Sequence, residues 1–277
     1  MAKYYCLIAG LSDLTADDAK APFTQQSFRD EIYPSLTAAD RKLMDLLPLE
    51  NDCRNLLSLL RGADDRMEPC LFSREELERL IAAVKADDRA AGSIPGFMYD
   101  FVKDYLQDSM QGQADDRLFA IYYAYAMKAG NDFVRDWFGF CLDMGNVQTA
   151  VTARRYGLDV RQLIVGEGDV ADALRTSGAR DWGLSQQLPF FDELMRIMDE
   201  PDLALRERRT DMLKWNWLEE NTFFDYFTVE RLFSYMVRLG IVTRWTGLDA
   251  DRGQQLFRRL IDGLKGQVSV PDEFGNN

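Results

Sequence analysis

One pattern recurs down this chain and limits what it can fold into. It consists of a carboxylate, an asparagine three residues later, an apolar helical face and a glycine stop. Asp143 precedes Asn146, Met144, Val147 and Val151 share a face, and Arg154 and Arg155 crowd the end before Tyr156-Gly157. Glycine suits such a stop because it reaches positive φ without steric cost. An earlier copy reads Asp52 and Asn55, with Cys53, Leu56 and Leu60 on the face and Arg61-Gly62 at the end. A second amphipathic helix follows each copy. Ser73 and Glu76 make an S-x-x-E capping box ahead of Leu77, Leu80, Ile81 and Val84. Gly168-Asp169 opens the run of Val170, Ala173 and Leu174. A weaker third copy spans Glu230 to Gly240, with Phe233 in place of the Asn, and Leu256, Phe257, Leu260, Ile261 and Leu264 supply its second helix. The copies start 91 and 87 residues apart, so three of them fill the 277-residue chain. The expected architecture is all-α, in three similar units at 1–90, 91–184 and 185–277 with breaks near Ala91 and Ser185.

The stretches between the copies agree with this. Thr37 to Leu47, the run from Phe97, the run capped by Asp115, the run from Pro189 and Leu203 to Trp217 all carry helical periodicity. Strand signals are scarce, and Arg161 to Val165 is the best candidate for a short extended segment. Tyr4 to Leu11 fits either a short strand or a helical turn. Phe133, Trp137, Phe138 and Phe140 read as core, since few cations interleave them as a base-stacking platform would require.

Composition excludes several classes of function. Asp and Glu outnumber Lys and Arg by 46 to 33, a net charge of −13, which opposes binding to nucleic acid or to an anionic membrane surface. There is no histidine, so the commonest neutral-pH base and transition-metal ligand is missing. Cys6, Cys53, Cys70 and Cys141 are scattered without a C-x-x-C pair, and Cys53 and Cys141 read as buried thiols of a reducing compartment. The longest apolar run, Phe119 to Met127, is about half a bilayer span. The expectation is a soluble cytoplasmic protein that needs no cofactor and no metal.

Three features invite a chemical reading. Gly166 to Ala171 fits G-x-G-x-x-A, but Glu167 and Asp169 would repel a pyrophosphate, so the motif reads as a helix start. Ala-Asp-Asp-Arg occurs at Asp64-Asp65, Asp87-Asp88 and Asp115-Asp116. Asp64 and Asp65 with Glu68 come nearest to a Mg²⁺-diphosphate site, although aspartate also caps helices. Arg206, Arg208, Arg209 and Lys214 cluster on one helix and are candidates for docking an acidic partner.

Residues 130 to 265 resemble the C subunit of the prokaryotic A/V-type ATPases, which corresponds to the vacuolar d subunit. The resemblance rests on Asp143, Asn146, Arg154, Arg155 and Gly157, the turn at Gly166 to Gly168, a Phe-rich helix at Thr222 to Phe227, then Glu230 to Gly240 and Leu256 to Leu264. The start, YYCLIAGLSDL, is similar to a shorter bacterial branch of that family. Phe233 departs from a position that is usually polar there. The resemblance implies a pseudo-threefold, funnel-like bundle with no active site of its own. It also implies a central-stalk role in a rotary ATPase peripheral to the inner membrane. The protein would join the shaft subunits to the membrane rotor ring and transmit torque for ion transport. Partner contacts would then fall to Arg154, Arg155, Arg206, Arg208 and Arg209. Two alternatives stand beside this one: an all-α Mg²⁺-diphosphate enzyme, and a free-standing helical adaptor.

Overall fold

The structure is a computed structural model that describes residues 4–88, 92–107 and 113–267. Among the described residues the fold is all helical, without a strand. In chain order the helices are α1 (Tyr5–Ala9), α2 (Gln25–Ile32), α3 (Ala38–Leu60), α4 (Arg74–Lys85), α5 (Gly96–Leu106) and α6 (Ala114–Ala126). There follow α7 (Asp132–Tyr156), α8 (Val160–Leu163), α9 (Asp169–Thr176), α10 (Phe191–Met198), α11 (Leu203–Asn221) and α12 (Val229–Gln267).

The helix ends obey local chemistry. Thr37, Ser73, Asn131 and Asp202 each accept a backbone N–H at the start of a helix, and the Ser73–Glu76 capping box is complete. Gly62 and Gly157 close α3 and α7 at φ of 73° and 66°. The G-x-G-x-x-A stretch is a helix start, with Gly166 at φ 77° and Gly168 immediately ahead of α9.

The first two copies of the repeat share a working part. The Asn55 amide donates to the Met67 carbonyl (3.1 Å) and accepts the Met67 N–H (2.7 Å). Asn146 does the same to Val165, at 2.8 and 2.9 Å. Each asparagine thus pins the loop that leads to its unit's next helix. The carboxylates differ. Asp52 is buried and accepts the N–H groups of Leu71 (2.9 Å) and Phe72 (3.1 Å), whereas Asp143 is half-buried.

Several expectations need correction. Gly240 does not stop a helix: α12 runs unbroken from Val229 to Gln267, so the third copy is one long helix. The side chains of Leu256, Phe257, Leu260, Ile261 and Leu264 lie outside the described residues. Helix α3 continues through Pro48 to Leu60. Thr222 to Phe227 is a turn between α11 and α12; Thr222 caps the end of α11, its hydroxyl and N–H both bonded to the Leu218 carbonyl (2.7 and 3.1 Å). Tyr4 to Leu11 takes the helical option. Arg161 to Val165 begins as the single turn α8 and extends only from Ile164. Asp115 sits in the first turn of α6, not at its cap. The break near Ser185 falls in the connection from α9 to α10, and the one at Ala91 lies outside the described residues.

The long helices close a circuit. Helix α3 packs on α6, α6 on α7, α7 on α11, α11 on α12, and α12 returns to α3. Helix α2 packs on α12 at this closure, with Phe28 stacked on Tyr235 at 5.1 Å. An aromatic core fills the α7 side. Phe140 stacks on Trp217 (5.2 Å), Trp137 lies 5.5 Å from Trp217, and Phe233 meets Phe133 and Phe138 edge-on (5.9 and 6.2 Å). Phe233 is fully buried there, which explains an apolar residue at that position.

Candidate functional site

Inside this circuit lies a hollow of about 460 Å³. Its lining comes from the same five helices, at helical spacing, joined by Gln25 of α2. Leu47, Glu50, Asn51 and Arg54 of α3 face Cys141, Met144, Gly145 and Gln148 of α7. Tyr122 and Tyr123 of α6, Asp211 and Lys214 of α11, and Gly240 and Arg244 of α12 complete the wall. The wall reaches solvent, since the side chains of Glu50 and Arg54 are 40% and 46% exposed. A second recess of about 620 Å³, between the start of α3, the end of α6 and the start of α12, is walled by Leu43, Leu46, Ala129 and Val229. The ring helices α7 and α11 contribute nothing to it beyond Asn131, the residue before α7.

The polar groups of the hollow are mostly committed to one another. Arg54 bridges to Glu50 (2.8 Å). Asp211 is buried, accepts the Trp245 indole N–H (2.8 Å) and pairs with Arg244, which also approaches Glu207 (3.8 Å). Gln148 donates to the Thr210 hydroxyl (3.3 Å). Among the described residues, Lys214 has no ion pair. Its charge is felt by Cys141, whose thiol burial pushes up to about 12 against the pull of the lysine. The hollow wall therefore carries Arg54, Lys214 and Arg244 against Glu50 and Asp211. It is slightly positive in a protein of net charge −13. A thiol held protonated is a weak nucleophile, and Asp211 is already bonded, so the arrangement suits binding better than bond chemistry.

The DUF2764 family model, described as a protein of unknown function, matches residues 1–268. The chain belongs to that family. No curated protein and no solved structure matches it.

The five arginines singled out in this DUF2764 chain do not form one basic patch. They act as internal pins. Arg154 lies over the Trp182 ring at 3.7 Å and donates to the carbonyls of Arg180 and Ala179 (2.6 and 3.0 Å). Arg155 donates to Met198 (3.1 Å) and pairs with Asp199 (3.4 Å). Arg206 holds the Glu200 carbonyl (2.6 Å), and Arg209 its carboxylate (2.9 Å). Arg208 ties α11 to the N-terminal segment through Asp17 (2.8 Å) and the Ala16 carbonyl. Of the cluster, Lys214 alone lines the hollow.

Two of the three carboxylates of the Mg²⁺ reading are likewise taken, while Asp65 has no ion pair among the described residues. Asp64 pairs with Arg74 and Glu68 with Arg66 (2.8 Å). Asp115 pairs with Arg61 and Asp87 approaches Lys103 (3.7 Å). Among the described residues, no group of three or more His, Cys, Asp or Glu side chains is placed to hold a metal ion. No helix among them is long and apolar enough to cross a membrane.

Sequence reasoning missed most of the hollow: Glu50, Arg54, Gln148, Asp211 and Arg244. The signal it could have used was the faces at i, i+3, i+4 and i+7 that mix small and polar residues, such as Cys141, Met144, Gly145 and Gln148. A face that meets a packed core is apolar throughout, whereas one that borders a cavity keeps small and polar groups.

Proposed function

We propose that this protein is a non-catalytic central-stalk component of a V/A-type rotary ATPase. It would receive the end of the helical shaft in the central hollow and couple the shaft to the membrane rotor ring. The observation that carries this reading is the hollow itself, walled by helices from all three repeat-length segments of the chain. The sequence resemblance to the C subunit of such ATPases supports it. So does the stiffness expected of a closed helical circuit with a close-packed aromatic core, since such interiors compress little. The shaft end should meet Lys214, Arg54 and Arg244, which suits an acidic or neutral tip. The pinning arginines Arg154, Arg155, Arg206, Arg208 and Arg209 would shape the walls without touching the partner.

The test is co-expression with the shaft subunits and with the ring, followed by native mass spectrometry. A one-to-one complex with the shaft, and binding of that complex to the ring, support the proposal. If neither partner associates at low salt, the protein is better read as a free-standing helical adaptor.

A further inference from the structure

The turn between α11 and α12 presents Phe223, Phe224, Asp225, Tyr226 and Phe227. Phe223, Phe224 and Tyr226 are 63%, 82% and 60% exposed. Three large rings in one short turn form an apolar surface of the kind that marks an interaction site, and aromatic side chains are the usual anchors of such sites. The turn is held in place from below. Thr222 is tied to Leu218, the Asp225 N–H bonds the Thr222 carbonyl (3.1 Å), and the Tyr4 N–H bonds the Phe227 carbonyl (2.7 Å). Phe223 and Phe224 meet edge-on at 4.9 Å, and the Tyr5 ring lies 4.5 Å from Phe227. A surface already fixed loses little entropy on binding.

The charges around the turn define what it can receive. Glu219 is paired with Arg238 (3.1 Å), but Glu220 is exposed and, among the described residues, unpaired. Glu230, in the first turn of α12, is only 6% exposed. One of its oxygens accepts the Asn131 amide (2.6 Å), and the other has no partner. Burial raises the Asp225 carboxyl above its ordinary range, and the neighbouring Glu230 charge adds to the effect. The next cation along the helix, Arg231, acts on Arg238, whose charged form it opposes. Three carboxylates thus stand at the base of an aromatic knob that is short of positive charge.

We propose that the 222–227 turn docks a partner-protein segment that carries Lys or Arg among apolar residues. The rings take the apolar side chains and the stems of the cations, with a cation–π contribution, and Glu220 and Asp225 take the charged heads. Phospholipid surfaces with anionic headgroups are disfavoured by the same carboxylates. The site is separate from the central hollow and does not depend on the rotary reading.

The test uses the full chain and two synthetic amphipathic peptides of equal length and leucine content, one with lysine and one with glutamate on its polar face. Phosphatidylcholine vesicles with and without phosphatidylserine form the third arm. The lysine peptide should bind and the glutamate peptide should not. The Phe223→Ser/Phe224→Ser variant should weaken lysine-peptide binding at least tenfold. Glu220→Lys/Asp225→Lys should do the same and favour the glutamate peptide. Leu203→Ser, at the far end of α11, should leave affinity within twofold. Phe223, Phe224, Glu220 and Leu203 are exposed and Asp225 is part-buried, so matching thermal melts are required of every variant to verify folding. The proposal is overturned if the turn variants bind the lysine peptide as well as the parent does, or if both peptides bind equally. It is also overturned if the vesicles compete better than the peptide, or if sedimentation shows turn-dependent self-association.

Discussion

Asn146 holds Val165 by both of its backbone groups, giving a hydrogen bond to the carbonyl (2.8 Å) and taking one from the N–H (2.9 Å). Asn55 holds Met67 in the same way. The two residues are buried to the same degree, each 3% exposed. Asparagine is the only standard side chain of this length that is both donor and acceptor in one plane, so neither aspartate nor leucine can replace it.

Replacing Asn146 by alanine removes the side-chain partners of the Val165 carbonyl and N–H at a part-buried site. We expect a loss of about 2 kcal/mol in urea-induced unfolding, and a similar loss for Asn55→Ala. Asn146→Asp should cost at least as much, because a carboxylate then faces the Val165 carbonyl. If either alanine variant unfolds at the parent's midpoint, the clasp contributes nothing.

The two repeat carboxylates should respond to pH with the same sign and to mutation with opposite signs. Burial raises both Asp52 and Asp143 to about 6, above the ordinary aspartate value. Between roughly pH 4 and pH 6 the folded state holds more protons than the unfolded state. The stability each contributes is therefore fully present below the unfolded value and is lost as pH rises through about 6. For Asp143, burial is the only cause. Because it is only part-buried, screening leaves about 1 kcal/mol at stake. Asp143→Asn should raise stability at pH 7 by about that amount and flatten the pH profile. Asp52 accepts two backbone N–H groups, and an amide can satisfy only one of them. Asp52→Asn should therefore destabilise at pH 7. Urea midpoints at about pH 4.5 and pH 7 decide both cases.

Much of the helical frame was legible because its signals are local. A side-chain oxygen at Ser73, Thr37 or Asn131 and a positive-φ glycine at Gly62 or Gly157 act within one turn of the chain. Gly240 misled because glycine stops a helix only when its residue turns left-handed, and α12 keeps it helical against α2. There a Cβ would lie 2.6 Å from the Gln25 amide. Thr222 to Phe227 misled because dense aromatic residues imitate a helical face, whereas Phe223, Phe224 and Tyr226 lie exposed in the turn beyond the end of α11. The hollow was hidden for a different reason. Its lining is contributed by six helices, and no window of the sequence contains more than one wall.

Gly166 must be glycine on two counts. Its φ is 77°, and a Cβ there would sit 3.2 Å from a Leu142 methyl. Gly166→Ala should cost about 1–2 kcal/mol, from left-handed strain and displacement of Leu142. Gly145 offers the contrast. It is helical, and a Cβ there meets nothing within 4 Å. Gly145→Ala should stabilise by up to about 1 kcal/mol. Thermal melts that rank the two variants the other way would refute this assignment of strain.

The last prediction separates the hollow from the pinning arginines. Lys214 lines the hollow and has no ion pair among the described residues, so reversing its charge breaks no internal contact. Lys214→Glu should leave the melting temperature within about 2 °C and weaken the proposed complex with shaft subunits more than about tenfold, since a rigid wall then presents a third carboxylate beside Glu50 and Asp211. Gly145→Trp fills the same space with a ring and should block the shaft without unfolding the protein. Arg155→Glu does the reverse. It cuts the bonds to Met198 and Asp199, loosening α10 from the end of α7. It should lower the melting temperature while the shaft affinity of the folded fraction stays near that of the parent. Native mass spectrometry at two salt concentrations, read beside thermal melts, distinguishes the cases. If Arg155→Glu abolishes the complex and Lys214→Glu does not, the partner binds the outer surface at the end of α7, and the hollow is not its seat.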